Sequence, residues 1–445
     1  MSLDLSKIFK AYDIRAVVPD EMNEQIAGSI GNAFARFVGA PRIAVGRDMR
    51  VSSPELCAAF VAGAVRAGAH VLDAGLVSTD ALYFASGVFD VPAAMFTASH
   101  NPPRYNGIKM CREKAAPIGE ESGLADIRRL AEEGPQIERD GGGIEKIDVL
   151  ADYAEHCRRM VDRSSLQPLR VAIDAGNGMA GKTVPIVFDP LPFEVLPLYF
   201  ELDGTFPNHL ANPIEPENLV ALQKVIRQNG CDVGVAFDGD ADRCFLVDET
   251  GALITGSTTT AMVAERLLLK NPGATVLYNL ICSWSVREVI AENGGAPVRT
   301  RVGHSFIKER MAETGAIFGG EHSGHYYFRD NFRADSGIIA ALLVLEGLSQ
   351  FDGPLSEMLA PYERYASSGE INSVVSDQHG AIERLRRRYA DGREDTLDGL
   401  TVEYEDWWFN CRPSNTEPLL RLNLEARNKE SMKQKRDEVL SVIRE

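Results

Sequence analysis

Three similar α/β domains followed by a smaller α+β domain is the fold class that this sequence predicts. Three observations carry it. The 445 residues are too many for a single hydrophobic core. Short apolar runs alternate with stretches of helical periodicity in three successive blocks, the pattern of strand–helix units. Beyond about residue 366 the pattern changes to strands enclosing one very basic helix. The expected domains are 1–145, 146–252, 253–366 and 367–445.

In the first block, Met22, Ile26, Ile30, Ala33, Phe34 and Phe37 recur at helical spacing over residues 22–39. Arg42 to Gly46 reads as a strand, and Arg47-Asp48-Met49-Arg50 as a charged loop. Ser53-Pro54-Glu55 places a cap residue before a proline at the first helical position and opens a helix to about Ala67. Val71-Leu72 and Ala93 to Phe96 return as strands, and the Gly-rich, acidic stretch from Glu132 to Gly143 ends the domain. The second block has a helix around Val149–Val161, then the strand Leu169–Asp174 with a glycine turn, Ala175-Gly176-Asn177-Gly178. The strand Phe193–Leu196, the helix Asn218–Asn229 and the strand Val233–Phe237 follow. The third reads as strand Thr275–Tyr278, helix Ser285–Glu292, strand Val298–Arg301, helix Phe306–Glu313, strand Ala316–Phe318 and the apolar helix Gly337–Leu348. In the last region Glu370–Val375, Leu400–Tyr404 and Leu419–Leu424 read as strands, and Ala381–Tyr389 and Lys429–Ile443 as helices.

Composition is that of an ordinary globular enzyme, 44% hydrophobic and 25% charged. No apolar run approaches the length of a membrane span, and Met1-Ser2-Leu3-Asp4 lacks the features of a signal peptide, so the expected location is the cytoplasm. The seven cysteines are scattered without a Cys-x-x-Cys pair, which argues for buried thiols rather than zinc or disulfides. A net charge of −17 argues against nucleic acid and an anionic membrane as partners, while a local cationic cleft can still hold a small anion.

Two stretches carry chemistry. The strand ending at Phe96 runs into Thr97-Ala98-Ser99-His100-Asn101-Pro102, and an Asn-Pro turn there lifts the Ser99 hydroxyl out of the sheet edge. That position suits a nucleophile, or merely a capping serine. Asp238-Gly239-Asp240-Ala241-Asp242-Arg243 directly follows the apolar strand Val233–Phe237. Three alternating carboxylates repel one another unless a cation sits among them, and hard oxygen donors imply Mg²⁺ or Ca²⁺. Glu249 falls where a calcium loop has its last ligand, but Arg243 stands at the required glycine and a strand replaces the entering helix, which favours Mg²⁺. Mg²⁺ with few protein ligands also takes a phosphate oxygen. A phosphorylated Ser99, carrying about −1.5 to −2 charges, could supply one.

The Thr97–Pro102 and Asp238–Arg243 segments are followed in order by two more. These are Gly319-Gly320-Glu321-His322-Ser323-Gly324-His325 and Arg412-Pro413-Ser414-Asn415-Thr416-Glu417-Pro418. Together the four resemble the motifs of the α-D-phosphohexomutase family, its bacterial phosphomannomutase/phosphoglucomutase branch in particular, over Phe9 to Arg421. The resemblance implies three α/β domains with mixed sheets and an α+β C-terminal domain around a central cleft. Ser99 would be the phosphoryl carrier, which exchanges its phosphate with a sugar monophosphate through a hexose 1,6-bisphosphate that also serves as activator. Asp238, Asp240 and Asp242, with Ser99, would hold Mg²⁺. Arg243 and Lys109 would offset charge at the transferring phosphate, and His304 or Lys109 would move the proton.

Glu321, Ser323 and His325 match the family's sugar-reading loop, and Arg301 aligns with a ligand-contacting segment where many relatives carry Lys. Arg412, Ser414, Asn415, Thr416 and Arg421 match a clamp for the non-reacting phosphate, with a hinge near Ser367-Ser368-Gly369. Tyr12 and Arg15 complete the cleft. The resemblance thus implies a monomeric or dimeric mutase for mannose and glucose phosphates. Phosphoglucosamine mutase is the alternative, although His322 and Thr97 stand where such relatives tend to carry Gln and Ser. A phosphatase would not need Ser99 together with the clamp.

Overall fold

The computed structural model describes residues 4–134, 141–414 and 419–445, and the side chain of His304 lies outside that description. The first sheet has six strands: β1 (Ile14–Val17), β2 (Arg42–Arg47), β3 (His70–Leu76), β4 (Ala93–Phe96), β5 (Tyr105–Cys111) and β6 (Gly143–Lys146). Their order is β1-β5-β4-β2-β3-β6; β4, β2, β3 and β6 pair in parallel, and β5 runs against them, pairing antiparallel with both β4 and β1. The second sheet contains β7 (Leu169–Asp174), β8 (Phe193–Leu198), β9 (Val233–Phe237), β10 (Cys244–Asp248) and β11 (Leu253–Ile254), in the order β11-β10-β9-β7-β8. The third contains β12 (Thr275–Asn279), β13 (Ala296–Thr300), β14 (Phe318–Gly320) and β15 (Tyr326–Phe328), in the order β13-β12-β14-β15. The last sheet is antiparallel throughout: β16 (Ala366–Val374), β17 (Arg393–Asp395), β18 (Leu400–Glu403), β19 (Trp407–Pro413) and β20 (Leu419–Ala426), in the order β16-β20-β19-β18-β17.

The central parallel strands are apolar on both faces because helices cover both, so Val233–Phe237 and Ala93–Phe96 are buried without alternation. Each of the first three sheets sends a loop with candidate site residues from the carboxyl end of a central strand. Ser99 follows β4, Asp238 follows β9 and Glu321 follows β14.

One core runs through parts of all three α/β domains. Its middle is the helix Gly337–Ser349, where every residue from Gly337 to Leu348 is buried. The C-terminal domain has a core of its own, built from residues of Ala381 to Ile443. Polar contacts join it to the third domain: Glu403 pairs with Arg299 (2.9 Å) and Arg287 (3.3 Å), and Glu425 accepts from the Trp284 N–H at 2.9 Å.

Several elements differ from the sequence expectation. The strand expected at Ala316–Phe318 is shifted to Phe318–Gly320, because β14 pairs through its glycines with Tyr327 and Tyr326 of β15. Val298–Arg301 becomes Ala296–Thr300, set by pairing with β12. Arg47–Arg50 is no solvated loop: Arg47 ends β2, and Asp48 and Arg50 are buried as an ion pair. Strand β6 continues the first sheet to Lys146, across the boundary expected at residue 145.

Asp80 is buried where the first domain, the connecting helix Leu150–Arg159 and the third domain meet. Its carboxylate accepts from Ser78 Oγ, Tyr153 Oη and Ser336 Oγ, the last at 2.7 Å. Burial raises it to about 6 despite those bonds. A carboxyl raised in the folded state holds its proton more tightly there than in the unfolded chain. Stability from this group is therefore present at about pH 4 and is lost as pH rises through about 6, by about 3 kcal/mol. Asp80→Asn is expected to remove that dependence. Urea unfolding of variant and parent at pH 4 and 7 should show the difference moving in the variant's favour at the higher pH; a pH-independent difference contradicts the assignment.

Candidate active site

Ser99 sits in a turn that the surrounding chain over-determines. Its φ of 49° lies in the left-handed region, unusual for a residue other than glycine. The buried Arg50 guanidinium holds the turn through four carbonyls: Ser99 (2.8 Å), Asn101 (2.7 Å), Pro102 (3.0 Å) and Tyr105 (2.9 Å). Thr97 Oγ1 accepts from the Ser99 N–H at 2.9 Å. These bonds aim the hydroxyl at the second domain, where it donates to Asp238 Oδ2 at 2.6 Å and accepts from Arg243 Nη2 at 3.0 Å. The loops meet so closely that a Cβ on Gly239 would stand 2.4 Å from the Ser99 carbonyl oxygen, so only glycine fits there.

Oxygens of Asp238, Asp240 and Asp242 lie within 4.8 Å of one another, and all three residues are buried. Asp240 Oδ2 accepts from Thr79 Oγ1 (2.6 Å) and Lys109 Nζ (2.7 Å), and Lys109 also reaches Asp242 Oδ2. Asp240 Oδ1 and Asp242 Oδ1 are buried without a hydrogen-bond partner among the described residues. Burial drives Asp242 well above the ordinary carboxylate range, and Asp240 adds to the effect. For Asp240, burial is outweighed by Lys109 and Thr79, which hold it low. For Lys109, burial is outweighed by Asp240 and Asp242, which hold it well above its usual value, so it is an ammonium in this arrangement. Arg243 Nε also pairs with Asp238 Oδ2 at 2.9 Å, yet two orphaned carboxylate oxygens remain in this cluster of three carboxylates, and a divalent ion would satisfy them. The residues fit a metal ion.

The third domain closes this centre. Backbone bridging of Arg243 to His325 joins the acidic loop to the Gly319–His325 segment. His325 Nε2 faces Asp242 Oδ1 at 3.9 Å, and its Nδ1 lies 3.0 Å from Ser323 Oγ. Glu321 is 2% exposed and accepts from Tyr327 Oη (2.7 Å) and the Gly303 N–H (3.1 Å), while burial raises its carboxyl. A Cβ on Gly303 would stand 2.8 Å from Tyr12 Oη, which brings Tyr12 against this loop, and Tyr12 packs edge-on to Phe306 at 5.9 Å. Arg301 lies over the Phe306 ring at 4.3 Å. Arg15 pairs with Asp13 at 2.9 Å and donates to the Asn101 side chain. His304 opens the helix His304–Thr314.

Arg412 and Arg421 are cross-strand neighbours on β19 and β20. Glu370 of β16 lies between them, 2.7 Å from Arg412 Nη2 and 3.3 Å from Arg421 Nη1. Ser414 Oγ accepts from Arg421 Nη2 at 3.2 Å. Asn415 and Thr416 fall outside the described residues.

Ser99, Lys109, Arg243 and the three aspartates thus form one centre, with Glu321, Ser323 and His325 adjoining it. The arginines form a separate pair on the C-terminal sheet. Sequence reasoning missed Arg50, Thr79, His100 and Glu370. His100 Nδ1 lies 3.1 Å from Ser99 Oγ and contacts Arg243, and burial followed by Arg243 holds it well below its ordinary value, hence neutral. Two of them left a sequence signal: Arg50 in the charge-dense Arg47–Arg50 stretch and His100 inside the Thr97–Pro102 motif.

Four family models match in chain order. They are phosphoglucomutase/phosphomannomutase alpha/beta/alpha domain I over residues 6–137, domain II over 151–251, domain III over 255–365 and the C-terminal domain over 370–442. The chain belongs to the phosphoglucomutase/phosphomannomutase family. A phosphohexose mutase of Xanthomonas campestris pv. campestris is 41% identical over 439 residues, 97% of this chain and 98% of its own length. An Escherichia coli phosphomannomutase is 40% identical over 450 residues, 98% of this chain and 99% of its own. The crystal structure of a phosphoglucomutase/phosphomannomutase family protein from Burkholderia thailandensis superposes with a TM-score of 0.90 at 34% identity, covering 99% of this chain and 97% of that one. Membership in this phosphoglucomutase/phosphomannomutase family makes the chain a hexose-phosphate mutase, an isomerase with three α/β domains and a C-terminal domain. Among the described residues no helix is long and apolar enough to cross a membrane.

Proposed function

We propose that this mutase interconverts mannose 1-phosphate and mannose 6-phosphate, and the corresponding glucose phosphates, with Ser99 as a reloadable phosphoryl carrier. The observation that supports it most is the Ser99 hydroxyl held at 2.6 Å from a metal-competent aspartate and 3.0 Å from Arg243. Phosphoserine at residue 99 gives its phosphoryl group to the free hydroxyl of the sugar monophosphate. The hydroxyl loses its proton, and the Ser99 oxygen leaves as the acceptor of the P–O bond pair. The resulting hexose 1,6-bisphosphate turns in the cleft and returns its other phosphate to Ser99.

Asp238, Asp240 and Asp242 would hold Mg²⁺, which supplies positive charge beside the phosphoryl oxygens when bound. Arg243 and Lys109, already directed at this centre, add charge that moves little between the two half-reactions. Lys109 as an ammonium suits that cationic role, which leaves proton transfer to His304 in the sequence assignment. Glu321, shielded from water and with its oxygens oriented by Tyr327 and Gly303, would accept from sugar hydroxyls together with Ser323. Closure of three domains around Ser99 keeps water from the phosphoserine, whose hydrolysis would stop the cycle.

Arg412→Ala is expected to raise KM for the sugar phosphate by about a hundredfold, since a buried guanidinium paired with a phosphate contributes strongly. Steady-state kinetics on mannose 1-phosphate with glucose 1,6-bisphosphate present checks this, and an unchanged KM refutes the clamp. Coupled assays on mannose, glucose and glucosamine 1-phosphates test the substrate assignment. The expected order places the two hexoses ahead; a preference for glucosamine 1-phosphate, or free phosphate as the main product, contradicts it.

A further inference from the structure

Arg412 and Arg421 stand directly opposite each other on neighbouring antiparallel strands. Two like charges in that relation repel. Their separation is maintained by a third strand: β16 pairs with β20 so that Glu370 lies opposite Asn423, on the same face as both arginines. One carboxylate oxygen accepts from Arg412 Nη2 at 2.7 Å, and the other faces Arg421 Nη1 at 3.3 Å. A carboxylate that spans two guanidinia, one oxygen to each, has the hydrogen-bonding form of a bound phosphate. The Arg412 side chain is only 6% exposed whereas that of Glu370 is 27% exposed, so the carboxylate has a route to water that the arginine lacks.

We propose that Glu370 is a built-in counterion of the clamp, occupying the place between Arg412 and Arg421 that a sugar phosphate takes and giving it up in exchange. The inference rests on reading these arginines as the phosphate clamp. A phosphate monoester carries about −1.5 to −2 charges and presents three acceptor oxygens, so it displaces a single carboxylate from two guanidinia. Once it is bound, Glu370 faces a like charge and turns outward to solvent.

The exchange has a consequence for turnover. A bisphosphate that must reorient has to leave the clamp without stranding the buried Arg412 guanidinium, and the returning carboxylate keeps it paired while still facing Arg421. Glu370 therefore acts through Arg412 and Arg421 as a positioning residue. It weakens phosphate binding and speeds phosphate release. The position reinforces this reading. Glu370 follows Gly369 (φ 66°) and a register shift between Ser367 and Glu370, so the counterion sits at the irregular start of β16 where the C-terminal domain begins.

Glu370→Gln keeps the shape and removes the charge. With mannose 1-phosphate, KM and kcat are both expected to fall, each by about tenfold, and inorganic phosphate should inhibit about tenfold more tightly. In the absence of substrate the variant should melt lower than the parent and gain more from added inorganic phosphate. Glu370→Asp, which keeps the charge on a shorter arm, should fall between the two and serves if the Gln variant does not fold. An unchanged or raised KM in Glu370→Gln, with Arg412→Ala showing its hundredfold loss, overturns the counterion and leaves the clamp standing. An unchanged KM in Arg412→Ala overturns the clamp and the counterion together.

Discussion

Ser99→Ala is expected to lower mutase turnover by roughly three orders of magnitude or more while leaving the fold intact. In the proposed mechanism this side chain is the phosphoryl carrier, and a neighbouring hydroxyl is not expected to replace it. Thr97 is the nearest in sequence, but its Oγ1 is committed to the Ser99 N–H at 2.9 Å. The turn itself does not depend on the hydroxyl, because Arg50 fixes it through backbone carbonyls. Loss of the bond to Asp238 should cost about 1 kcal/mol. Coupled kinetics and thermal melting on the same preparation test the two halves. Residual turnover within tenfold of the parent would place the carrier elsewhere.

Asp242→Asn has the second large effect, and its sign differs between activity and stability. Removing one of three carboxylates is expected to weaken Mg²⁺ binding by roughly a hundredfold or more, and turnover should fall with it. The metal-free protein should become more stable at neutral pH. Asp242 is raised well above its ordinary value by burial and by Asp240, so the native chain holds its proton more tightly than the unfolded chain does. Its ionisation therefore works against folding as pH rises out of the ordinary carboxylate range, and asparagine has no such penalty. Melting with chelator and with Mg²⁺ separates the contributions. The parent should gain stability from Mg²⁺ and the variant should not, while the variant melts higher with chelator. A variant that binds Mg²⁺ like the parent would remove Asp242 from the metal site.

The parts of this site that are local in sequence were legible before the structure. An apolar strand breaking into an Asn-Pro turn marks Ser99, and alternating aspartates after Val233–Phe237 mark the cation loop. What depends on distant neighbours was not. Thr79 reaches Asp240 across 161 positions and Arg50 reaches Ser99 across 49, and neither residue type announces such a partner. The helix Gly256–Lys270 begins Gly256-Ser257-Thr258-Thr259-Thr260, poor helix formers, and exists because its burial overrides their propensity. Strand β10 is buried throughout and so lacks the alternation that reveals a strand. Arg412 reads as part of the clamp motif, with no strand assigned to it. It lies within β19, and that register sets it beside Arg421 and within reach of Glu370.

The claim that everything else depends on is phosphate carriage by Ser99. Incubating the protein with glucose 1,6-bisphosphate labelled in its phosphates, then mapping the label by peptide mass spectrometry, tests it directly. The account predicts label on Ser99 alone, and transfer of that label to mannose 1-phosphate on a chase. Label on another residue, or label on Ser99 that the sugar cannot discharge, would contradict it.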